Sequence, residues 1–136
     1  DLPRLFRQSP VNGVWEGSGN VICLDVLRAV MREPRCLDVY WEEVDLAAGG
    51  DRRLDVAIGQ LRAQLADPSD AEAQARVLVE RLALVFQASL LVRHAPTAVA
   101  DGFCASRLGP GSARAFGTLP AGLDAERIIE RARPTR

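Results

Sequence analysis

The residues with most chemical potential crowd into one stretch, Val11-Asn12-Gly13-Val14-Trp15-Glu16-Gly17-Ser18-Gly19-Asn20, which sets three glycines, an aromatic ring and a carboxylate in a turn before a helical pattern. Held against an apolar ligand, Glu16 is suited to abstracting a proton; left in water it is an ordinary loop carboxylate, and the pattern alone favours that second reading. Trp15 serves equally well as a ligand contact or as a core or interface anchor. Ser18 stands where it can cap the next helix, and the free N–H groups there, with Ser18, Gly19 and Asn20, suit a phosphate or a cofactor edge. Helix starts of this composition are common, so this signal is weak on its own.

Other candidates are thinner. Arg28, twelve residues after Glu16, reads either as a cleft-facing guanidinium for an anion or as an exposed residue complementing a helix end. His94, the only histidine, falls in the last turn of a helix, where the helix dipole favours it, and this reading outweighs a catalytic one. Cys23, Cys36 and Cys104 match no zinc or redox spacing and read as reduced core cysteines of a cytosolic protein. The pattern contains no metal site and no Ser/His or Cys/His nucleophile pair.

The elements that must hold the turn read as helices. Leu2 to Gln8 is the end of one, closed by Ser9-Pro10. A helix from about Asn20 to Glu33 is apolar over much of its circumference and is expected near the centre. Further helices are expected over about 35–48, 51–66 with Asp51 as N-cap, 71–94, 96–108 and 124–133. Leu54, Val56, Ile58, Leu61 and Leu65 should point inward from 51–66, and Phe116 and Leu119 should anchor the Gly/Pro-rich connection over 109–122. No segment alternates with period two long enough for a sheet, so the fold class is all-α, an up-and-down bundle of four to five helices.

The chain has 136 residues and a formal net charge of −1, enough for one domain with a real core. All its basic residues are Arg, interleaved with acids at Arg127, Arg131 and Arg133, which argues against strong nonspecific binding to nucleic acid. No apolar run approaches the roughly 18 residues that membrane insertion requires. The start at Asp1, without Met or a signal-like series, predicts a piece of a longer cytoplasmic protein.

The run from Pro10 through Glu16-Gly17-Ser18-Gly19-Asn20 to Arg28 resembles the C-terminal part of acyl-CoA dehydrogenase-like flavoproteins, and more narrowly their AidB-like branch, the DNA alkylation response proteins. The likeness is densest from Arg7 to Arg32 and continues more weakly through Ala100-Asp101-Gly102-Phe103-Cys104. It implies a parent with an N-terminal helical domain and a middle β domain, both absent here. Residues 1–20 would supply the end of a preceding helix and the active-site turn, and residues 20–136 the C-terminal bundle. It further implies FAD as cofactor and an acyl-CoA as substrate. Glu16 would be the base that takes the α-proton, with Trp15 and Gly17 as substrate contacts and Ser18, Gly19 and Asn20 against FAD. Ser18 stands where the family more often has Thr, which keeps the hydroxyl. The remaining domains of the same chain and a homo-oligomer, dimer or tetramer, are the implied partners, and the fragment alone should be inactive. For the AidB-like branch the resemblance implies weak dehydrogenase activity and double-stranded DNA as a partner, with Arg28 a DNA or anion contact.

Overall fold

A computed structural model describes residues 2–15, 17–67, 69–109 and 115–134. Among these, all regular structure is helical: α1 (Leu2–Gln8), a 3-10 turn (Ser9–Gly13), α2 (Gly19–Arg32), α3 (Arg35–Asp45), α4 (Arg52–Ala66), α5 (Ala75–His94), α6 (Thr97–Arg107) and α7 (Ala125–Arg131). The all-α bundle expected from periodicity is what the chain forms.

The organising helix is α5. At twenty residues it is long enough to pack against α2, α3, α4 and α6 together. Its buried positions, Ala75, Leu78, Leu82, Val85, Ala88 and Ser89, follow the three-and-four spacing of one helical face. Leu54, Ile58 and Leu61 of α4 meet that face, with Val44 of α3 and Cys104 of α6 in the same cluster. Each fully buried Leu there contributes about 1.5–3 kcal/mol by leaving water. Among the described residues buried polar side chains are satisfied: Tyr40 donates from its hydroxyl to the Leu82 carbonyl at 2.8 Å, and Ser106 donates to the Gly102 carbonyl at 2.7 Å. Burial pushes the Tyr40 hydroxyl well above its ordinary pKa, so it stays a donor.

The start of α4 is capped as expected. Asp51 Oδ1 accepts from the Arg53 backbone N–H at 2.8 Å, and the Arg53 guanidinium reaches both Asp51 and, at 2.7 Å, Asp101 on α6. This pair of acids around one arginine ties α4 to α6. At the far end α7 lies against α6, where a Cβ on Gly102 would come within 2.9 Å of Ile128 Cδ1.

Expectations about the helices fail for one reason, that periodicity cannot say which apolar side finds a partner. Helix α2 is not central: none of its residues is buried, and only the side carrying Val26 and Leu27 packs on the core. Val56 is half exposed, while its helix buries the neighbouring Leu54 and Ile58. Phe116 and Leu119 are exposed and anchor nothing. Of the three cysteines only Cys104 is in the core; Cys23 is partly covered and Cys36 is exposed.

Candidate active-site turn

The turn runs from the 3-10 segment into the first residues of α2. Val14 and Trp15 both donate their backbone N–H to the Val11 carbonyl at 3.0 Å, and Gly17 donates to the Val14 carbonyl at 3.3 Å. Gly17 has φ of +127°, in the region that L side chains avoid, so the chain reverses there because a glycine is present. Glu16, the expected base, lies outside the described residues. Trp15 is 57% exposed and lies outside this chain's core, which leaves it available as a ligand contact or as an interface anchor.

Ser18 occupies the N-cap position of α2, and its carbonyl accepts the first helical hydrogen bond, from Ile22 N at 3.1 Å. Its hydroxyl, however, makes no capping bond, contrary to the expected side-chain cap. The backbone N–H groups of Gly19, Asn20 and Val21 precede that first helical bond and so have no acceptor within the helix. The donors gathered at this end, three N–H groups, the Ser18 hydroxyl and the Asn20 amide, suit an electron-rich or anionic group.

Sequence spacing gave no sign of one further member. Arg76, in the first turn of α5, donates from Nη1 to Asn20 Oδ1 at 3.0 Å, 56 residues away in the chain. Its guanidinium lies over Gly19, 3.4 Å from where a Cβ would stand. No periodic or motif signal links positions so far apart; the packing of α2 on α5 creates the contact.

Arg28 is not part of this constellation by any described contact. Its side chain is exposed and donates to Asp25 one turn earlier on α2. His94 is exposed at the C-terminal end of α5. Away from the turn, a cleft of about 690 Å³ opens between the first turn of α6, Pro96 to Val99, and Arg127, Glu130 and Arg131 of α7. Among the described residues no helix is long and apolar enough to cross a membrane, and no three His, Cys, Asp or Glu side chains gather as a metal site would need.

This all-helical chain is similar to acyl-CoA dehydrogenase-like proteins. It is 38% identical over 104 residues, 76% of this chain, to "Putative acyl-CoA dehydrogenase AidB" of Escherichia coli (strain K12). It is also 29% identical, over 69% of this chain, to "Acyl-CoA dehydrogenase family member 11" of Caenorhabditis elegans. The chain spans only 19% and 18% of the length of these two relatives. No family model matches it. The resemblance first read in the Pro10–Arg28 run, to the acyl-CoA dehydrogenase-like proteins and to AidB among them, therefore extends over most of the chain.

Proposed function

We propose that this chain is the C-terminal helical-bundle domain of an FAD-dependent acyl-CoA dehydrogenase-like oxidoreductase, and that its turn forms one wall of the flavin and substrate site. The observation that carries the reading is the α2 start: an uncommitted Ser18 hydroxyl, unpaired N–H groups and an Asn20 amide, following a turn that only Gly17 allows. That donor set fits the oxygen-rich, anionic cofactor that the similarity suggests.

In this reading Glu16 takes the α-proton of an acyl-CoA thioester, while Trp15 and Gly17 border the acyl group. FAD, held at Ser18, Gly19 and Asn20, would supply the hydride-accepting chemistry for the β-carbon. Exclusion of water by the domains that complete the site would strengthen a carboxylate base. Ser18, Gly19 and Asn20 hold the cofactor edge by donating hydrogen bonds. The isolated chain is inactive because the remaining walls of the site come from elsewhere in the parent protein.

The test uses the full-length parent. It should bind FAD, and Glu16→Gln should retain the flavin while acyl-CoA oxidation falls by roughly 100-fold or more, the usual contribution of a general base. A parent that cannot be loaded with FAD ends the flavin reading, and unchanged turnover removes Glu16 as the base.

The second reading, a double-stranded DNA-binding module with little turnover, would draw on Arg127 and Arg131 of α7 at the start of α6, where Glu130 lines the same cleft and Arg127 pairs with Asp124. It would show in the same preparations as duplex binding that weakens steeply with salt.

A further inference from the structure

We infer that Arg76 is a positioning residue for the cofactor-facing turn, acting through Asn20. The inference rests on the flavin reading and adds a residue 56 positions away that the turn itself does not contain. A guanidinium has donors only, so the atom of Asn20 that meets Arg76 Nη1 at 3.0 Å must be the carbonyl oxygen Oδ1. The chemistry of the pair therefore settles the amide's orientation. With Oδ1 committed to Arg76, the Nδ2 group is turned away from Arg76 as a pure donor, at a helix start whose backbone groups are donors too. Without Arg76 the amide is free to flip and present an oxygen to an electron-rich ligand, which it would repel.

Packing supports the same assignment. The guanidinium lies over Gly19, where a Cβ would meet it in ordinary van der Waals contact at 3.4 Å, so it rests on the turn beside Asn20. Arg76 sits on α5, the helix that packs against α2, α3, α4 and α6, so its backbone is held by the core while its side chain reaches the turn. An arginine on a fixed element holding an amide on a turn is how a donor gains a single direction.

The experiment measures FAD affinity of the full-length parent by titrating the apo-protein, with thermal stability recorded alongside. Arg76→Met should weaken FAD binding roughly tenfold, within the range of one lost oriented hydrogen bond, and Arg76→Lys, which still donates to Oδ1, should recover part of it. Asn20→Asp separates a structural role from a positioning one. A carboxylate pairs with Arg76 at least as well as the amide, so thermal stability should be kept or raised, yet the donor is gone and FAD binding should fall by more than tenfold. Arg76→Met should add little in an Asn20→Ala background. Wild-type FAD affinity in Arg76→Met or Asn20→Asp overturns the inference while leaving the flavin reading intact, and full additivity of Arg76→Met with Asn20→Ala overturns the route through Asn20. A wild-type parent that takes up no FAD overturns the flavin reading and this inference with it.

Discussion

Three free cysteines of one chain meet three environments, and their chemistry should diverge accordingly. Cys104 is fully buried in the core, and burial, reinforced by the nearby Asp51 carboxylate, pushes its thiol up to about 11. The contribution it makes to stability by remaining neutral is complete below its ordinary value of 9.0 and is lost as pH rises towards 11. Cys36 is exposed. A thiol reagent near neutral pH should therefore label Cys36 in the folded chain and reach Cys104 only after denaturation, which mass mapping of the labelled peptides would read. Labelling of both at similar rates would contradict the core position of Cys104. Sequence reasoning placed all three inside because each lies on a helix beside apolar neighbours; which neighbours turn inward depends on the partner helix, and that information is not local.

At the scale of elements, Asp51 carries more than the cap that its place before α4 predicts. It accepts from the Arg53 N–H and binds the Arg53 side chain, which also reaches Asp101 on α6. The Arg53 side chain is the first cause that holds the Asp51 carboxyl below its usual range. The folded state thus binds fewer protons than the unfolded chain as pH falls, so the stability from this pair is present above the ordinary value of 3.8 and is lost below it. Asp51→Ala should cost about 1–2 kcal/mol, the usual worth of an N-cap with a partly covered partner. Its stability should also depend less on pH in the acid range, as denaturant unfolding at pH 7 and pH 3 would show. Equal pH dependence in both proteins would remove the pair from that role. The cap was legible because it is a short-range pattern, aspartate before an amphipathic run. The bridge to α6, 48 residues away, was not.

For the whole molecule, the distribution of apolar surface is the main finding. Leu2, Leu5 and Phe6 of α1, Val14 and Trp15 of the turn, and Val21, Ile22 and Met31 of α2 are exposed, with Leu2 and Met31 each at 80%. So much exposed apolar surface along α1, the turn and α2 is more than scattered surface residues account for. The isolated chain should consequently bind an apolar fluorescent dye while folded. Phe6→Ser with Met31→Glu should lower that signal without lowering the unfolding temperature, since neither residue belongs to the core. A dye signal that persists in the double variant would place the sticky surface elsewhere.

What the sequence by itself determined is the class of the fold, the breaks between helices, the Asp51 cap, the glycine-dependent turn and the family resemblance carried by the run from Pro10 to Arg28. All of these are local: a 3.6-residue period, a capping side chain or a contiguous motif is complete within a few turns of chain. Only the tertiary structure decided that α5 rather than α2 is the centre, that Ser18 leaves its hydroxyl uncommitted, and that Arg76 holds Asn20. Those outcomes depend on which of two apolar faces finds a partner and which side chains meet across 50 or so residues of intervening chain. Hydrophobic burial is non-directional, so it selects a face only once the other helices are present to cover it.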